Sequence, residues 1–147
     1  MRVIIQRSKD SYVSVEEKTT GSINSGMVIL VGFTSGDNDI VIDKMINKIL
    51  KLRIFDDENG VMNLDITQVN GEILSISQFT LYANTKKGNR PSYIDALNGE
   101  EAIKLYELFN KKLSEYVHVE TGVFGADMDV HIRNDGPVTI MMEMNKE

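Results

Sequence analysis

SQFTLYA, Ser77 to Ala83, is where the hydrophobic alternation of this chain changes phase. Leading into it, Leu74 and Ile76 put apolar groups on one face, and Ser75 and Ser77 put polar groups on the other. Then Gln78 and Thr80 fall on the first face, and Phe79 and Leu81 on the second. Strand side chains alternate with period two, so a half-buried strand keeps its core face. The inversion therefore predicts a bulge or an exit from the sheet near Ser77–Phe79, which releases backbone N–H groups from the ladder. Released N–H groups suit a carbonyl or an oxyanion. A strand that merely leaves the core satisfies the same pattern.

Working upstream, MVILVGF (Met27–Phe33) is a continuous apolar run and reads as a strand buried on both faces. Arg2–Ser8 reads as a first strand, Tyr12–Val15 as a second, and Gly21–Asn24 as the start of a return strand. After the SGDND helix-start signal, Ile42, Met45, Ile46, Ile49 and Leu50 recur at helical spacing, which predicts an amphipathic helix from Asp39 to about Leu52. FDDENG is a turn and not a calcium loop. Placing Gly60 at the sixth position of an EF-hand puts Phe55 at the first, where an oxygen ligand is required. Asn59-Gly60 and Asn70-Gly71 supply turn geometry.

Downstream, TKKGNRPSY forms a basic loop with Lys86, Lys87 and Arg90. Beside a site in an acidic chain it is the natural place for a phosphate; alone it is a solvated loop. Asn98 is an N-cap with Glu101 three residues on, and Ala102, Leu105, Tyr106, Phe109 and Leu113 make one apolar stripe. From His118 the tail returns to strands, HVETGVF, MDVHIRN and VTIMMEM, separated by GVFGADM and NDGPVT.

The 147 residues fit a single domain, 1–147, with a core of useful size. A net charge of −6 argues against a long grip on nucleic-acid phosphates, though not against capture of a short single-stranded end. There is no cysteine, so disulfides and thiolate chemistry are excluded, in keeping with a cytoplasmic protein. The opening MRVIIQRSKD is too polar for a signal peptide, and no apolar run reaches membrane-spanning length. His118 and His131 fall in separate strands without supporting ligands, so no metal is expected. Walker, GxGxxG and GxSxG motifs are missing, and Ser77 has no evident base. An enzyme built this way needs no cofactor and works through backbone groups and the substrate's own chemistry.

SQFTLYA, KGNRPSY, GVFGADM and NDGPVT, together with VIIQR and LRIFDDENGVMNLDI, follow one another in an order that resembles the D-aminoacyl-tRNA deacylase family. The likeness runs along nearly the whole chain. It departs at SKDSYVSVEEKTTGSINSG, where Ser25 precedes Gly26 and the isoleucine sits upstream at Ile23, and at the C-terminal MMEMNKE. The resemblance implies an α/β fold, a compact single domain with a curved, barrel-like mixed sheet and two main helices, acting as a homodimer on tRNA carrying a D-amino acid. It implies that Ser77, Gln78, Phe79 and Thr80 form the floor of the pocket. It also implies that Gly136 and Pro137, joined by a cis bond, enter from the partner subunit and accept hydrogen bonds from the substrate ammonium. A D-side chain then projects into open space and an L-side chain meets main chain; glycine is not rejected. The resemblance further assigns the 2′-OH of the RNA a role in hydrolysis, leaving Thr80 chiefly structural rather than nucleophilic. Phe124 is a candidate for the terminal adenosine or for the core. Arg7 is a candidate for orienting the Gly-Pro carbonyls and for contacting the tRNA, and Lys86, Lys87 and Arg90 for acceptor-end phosphates. Two other readings stay open: a nucleic-acid-binding module of the same fold without the chemistry, and an editing enzyme with an achiral or L-charged target.

Overall fold

A computed structural model describes residues 1–147. Seven strands and two helices follow in the order β1 (Arg2–Val15), β2 (Lys18–Gly32), α1 (Asp39–Lys51), β3 (Phe55–Asp56), β4 (Met62–Leu64), β5 (Glu72–Ser77), α2 (Gly99–Leu113), β6 (His118–Thr121) and β7 (Asp129–Glu143). Five of them form a mixed sheet in the order β6-β5-β2-β1-β7. β1 pairs antiparallel with β2 and β7, while β5 runs parallel to β2 and β6. β3 and β4 make a separate small hairpin, with Gly60 at φ 75° in its turn.

The apolar run of β2 is the centre of the molecule. Met27, Val28, Ile29 and Val31 are buried, and their side chains go alternately to two clusters. On one face Met27, Ile29 and Val31 meet both helices: Val41, Ile42, Met45, Ile46 and Ile49 from α1, and Tyr106, Phe109 and Leu113 from α2. Each such fully buried side chain contributes about 2 kcal/mol of transfer free energy. Asn38 caps α1 by accepting the Val41 N–H, and Asn98 caps α2 by accepting the Glu101 N–H. On the other face Val13, Ile23, Val28, Leu74 and Ile76 pack with Val130 and Ile132 of β7. β7 is three strands from β5 in hydrogen-bonding order, so this contact requires the sheet to curl.

Four sequence expectations are corrected. The two opening strands are one, because the ladder continues through exposed Lys9 and across Ser11–Ile23 whatever the side chains do. Gly21–Asn24 and Met27–Phe33 likewise belong to one strand, β2. The last two tail runs merge as β7, which carries the NDGPVT segment as an outward loop. Gln6 pairs with Thr139 and Ser8 with Asn134, so the single residue Arg7 on β1 stands opposite four on β7, Asp135 to Val138. Ser75, read as the polar face of its strand, is fully buried, because β5 is covered on both sides.

Candidate active site

β5 ends where the phase inverts. Ser77 is the last residue of the parallel ladder, opposite Val31, and the Gln78 N–H donates to the Val31 carbonyl at 2.7 Å. The chain then leaves the sheet as a 3-10 turn over Phe79–Tyr82. Only Ser77 of the four floor residues is therefore on a strand. In a 3-10 turn the first N–H groups have no partner within the turn. Here the Leu81 N–H donates to Gln78, and the N–H groups of Phe79 and Thr80 come before it. A glycine on β2 makes room for the turn. A Cβ on Gly32 would lie 2.8 Å from the Gln78 oxygen and 3.3 Å from the Leu81 Cβ.

The turn borders a cleft of about 680 Å³ at the carboxyl ends of β2 and β5. Ile76, Ser77, Gln78 and Phe79 line one side, and Phe124, Asp127 and Met128 of the GVFGADM loop another. Phe79 is 57% exposed and meets Tyr93 edge-on, with ring centroids 5.1 Å apart. Phe124 lines the cleft and also packs against Tyr106, with ring centroids 5.8 Å apart. Tyr93 and Asp127 were not singled out by sequence reasoning. A tyrosine in a basic loop and an aspartate in a glycine-flanked one carry no local signal of facing a common cavity.

Thr80 lies outside the cleft lining. Its hydroxyl accepts a hydrogen bond from the Gln78 side-chain amide, and no carboxylate or imidazole bonds to it. An alcohol without a base is a poor nucleophile. Lys86, Lys87 and Arg90 are exposed on a loop closed at its base by the paired backbone bonds of Asn84 and Ser92. Tyr93, the next residue, turns into the cleft, which keeps the basic loop beside the cleft mouth.

Gly136 and Pro137 are exposed, and the bond between them is cis. Neither lines the cleft of its own chain. They project level with Arg7, while the cleft floor is level with Arg2 and Val3, roughly 14 Å away along the strands. Arg7 is buried behind them. Its Nη1 donates to the Ile54 carbonyl at 2.8 Å and pairs with Asp56, and its Nε lies 3.3 Å from Asp135. Asn134 closes the loop's base by donating to the carbonyls of Arg7 and Val138, each at 3.0 Å.

Burial raises the Tyr82 phenol well above its ordinary value, and burial does the same for Tyr106, whose hydroxyl donates to the Ser75 carbonyl at 2.7 Å. The unfolded chain loses these protons near pH 10, while the folded chain still binds them. Their contribution to stability is thus complete below pH 10 and lost as pH rises above it. Urea midpoints followed from pH 8.5 to 11 should fall progressively above about pH 10; a flat profile would mean that both phenols ionise as freely as in water.

An α/β protein whose cleft opens at the carboxyl ends of parallel strands, bordered by a turn with free N–H groups, is of the class that binds a small ligand or chain end through main-chain groups. The profile of the D-Tyr-tRNA(Tyr) deacylase family matches residues 4–143. The chain belongs to that family. It is 54% identical over 147 residues to the D-aminoacyl-tRNA deacylase of Clostridium tetani, covering 99% of each chain. Among solved structures it is similar to the c-Myc DNA Unwinding Element Binding Protein, with 37% identity, a TM-score of 0.92 and coverage of 97% and 98%. A probable eukaryotic D-amino acid tRNA deacylase shares the fold at 16% identity, with a TM-score of 0.84 and coverage of 96% and 97%.

Proposed function

We propose that this chain is a hydrolase that cleaves the ester joining a D-amino acid to tRNA, releasing the free amino acid and the tRNA. The observation that carries this reading is membership of the deacylase family along almost the full chain. The cleft suits it: an aminoacyl ester is already activated, so main-chain donors and a positioned water suffice without a strong nucleophile. Ser77, Gln78 and Phe79 serve as the pocket floor and Thr80 borders it, with the N–H groups of Phe79 and Thr80 available to the oxyanion. The 2′-OH of the terminal ribose assists, and the Thr80 hydroxyl stays structural. Phe124 offers a ring to the terminal adenine. Lys86, Lys87 and Arg90 take acceptor-end phosphates.

Selection against L-esters falls to Gly136 and Pro137, whose carbonyls receive the substrate ammonium. They do not line the cleft of their own chain and are offset from its floor along the strands, which supports a homodimer in which each loop completes the partner's site. Arg7 is more deeply placed than a tRNA contact would be, and its part is to hold the Gly136–Pro137 loop. Glycyl esters, lacking a side chain, also pass the filter. The working compartment is the cytoplasm, where charged tRNA is found.

The test is deacylation of matched D-Tyr-tRNA and L-Tyr-tRNA by purified protein in the presence of a chelator. Rapid loss of the D-ester with the L-ester spared is expected. If neither ester is lost, the chain is a binding module instead, a reading to which the structural likeness to a DNA-unwinding-element binding protein lends some weight. Loss of both esters would remove the chiral filter from the account.

A further inference from the structure

Arg2 lies at the start of β1, and its guanidinium makes three contacts at once. Nη1 donates to the Leu81 carbonyl at 3.0 Å. The group lies over the Tyr82 ring, 4.4 Å from its centroid. Nε donates to Glu143 at the end of β7. Pairing with Glu143 also raises the Arg2 pKa, so the cation is permanent.

Leu81 and Tyr82 are the far half of the 3-10 turn whose near half borders the cleft. The last ladder bond into this segment is the Gln78 N–H to Val31. Beyond it the backbone bonds of the turn run within the turn: Leu81 N–H to Gln78, and Ala83 N–H to Thr80. A segment whose backbone bonds are chiefly its own depends on side-chain contacts, here buried Tyr82 and Arg2, to fix its position. A planar guanidinium that holds a carbonyl while stacking on the adjacent ring restricts both translation and tilt. The Arg2 side chain is 40% exposed, so its ion pair adds little to global stability. The geometry suits a local clamp.

We propose that Arg2 is a positioning residue for the cleft floor. By fixing Leu81 and Tyr82 to the first strand it sets where Gln78 and Phe79 stand relative to the bound ester. This rests on the deacylase reading above, and it adds a residue that touches no substrate.

The test uses Arg2→Met, which keeps an apolar stem over Tyr82 but loses the donor, and Arg2→Lys, which keeps a donor. On D-Tyr-tRNA, Arg2→Met is expected to lower kcat about tenfold with KM within about twofold, and Arg2→Lys to recover most of the loss. Peptide-resolved amide exchange should accelerate across residues 78–83 in Arg2→Met and stay unchanged elsewhere. Glu143→Gln, which releases the ion pair but leaves both contacts to the turn, should remain within about twofold of wild type. Unchanged exchange at 78–83, an unchanged kcat in Arg2→Met, or a tenfold loss in Glu143→Gln would each overturn the assignment. A wild-type protein inactive on the D-ester is a failure of the deacylase reading itself. It is seen in the wild-type arm before any variant is compared, and it overturns the catalytic part of the proposal with it. The exchange arm needs no substrate and still decides whether Arg2 holds the turn.

Discussion

Gly136→Ala is expected to give a folded protein with deacylation of D-Tyr-tRNA reduced about 100-fold or more, the scale of loss when a binding group moves by an ångström. Gly136 has φ +122°, a region that L-residues rarely adopt. A Cβ there would lie 2.9 Å from Val138 Cγ2, 3.0 Å from Val138 N and 3.2 Å from Arg7 Nη2. The buried arginine is held by Ile54, Asp56 and Asp135 and has little room to retreat, so the loop must move instead. The residue itself is exposed, and thermal melting should change little.

The same variant tests whether the site is shared between subunits. Gly99 lines the cleft, and a Cβ on it meets nothing within 4 Å, so Gly99→Trp is chosen to crowd the cleft while leaving the fold intact. Each variant alone should be inactive. Mixed in equal amounts and allowed to exchange subunits, they should recover about a quarter of wild-type activity, since half the dimers are mixed and one of the two sites in each is intact. No recovery after demonstrated exchange would place cleft and loop of one site in the same chain.

The second large effect is on folding. Gly26→Ala is expected to destabilise the protein by about 4 kcal/mol or more, a large share of the about 5–15 kcal/mol that holds a domain folded. Gly26 has φ +146°, and its Cβ would stand 1.9 Å from the Glu72 carbonyl oxygen and 2.5 Å from the Glu72 nitrogen. Gly26 pairs with Ser8 of β1 on one side and Glu72 of β5 on the other, so neither neighbour can give way without opening the centre of the sheet. Urea unfolding followed by circular dichroism measures the loss. A midpoint close to wild type would show that the parallel β2–β5 pair tolerates a wider spacing than the backbone indicates.

The break in alternation at Ser77 was legible because it has a local cause: the last ladder bond falls at Gln78, and side chains beyond it need not respect the pleat. The helices were legible through periodicity and through Asn98 as a cap. Strand continuity was not. Lys9 and Asp10, or Ser22 to Ser25, look like interruptions because their side chains are polar, yet a strand persists wherever its neighbours supply backbone partners. Ser77 to Phe79, which line the cleft, could be named in advance because they lie on one stretch. The Tyr93 ring opposite Phe79, the Asp135 and Asp56 partners of Arg7, and the reach of Arg2 to Leu81 could not. Each depends on segments brought together only by the completed sheet.

The outward loop of β7 has a consequence for how such a protein can change over time. Pairing with β1 is in register on both sides of Asp135–Val138, so the number of residues looped out does not alter the hydrogen bonding of either flank. Inserting or deleting a residue there costs little beyond loop closure, about 0.6 kcal/mol for each doubling of length. The strand ladder and the element proposed to judge chirality are therefore specified separately, the ladder by its flanks and the loop by its ties to Arg7 and Asn134. Mutation can rewrite the loop, trading one stereochemical preference for another, while the remainder of the chain keeps its sequence.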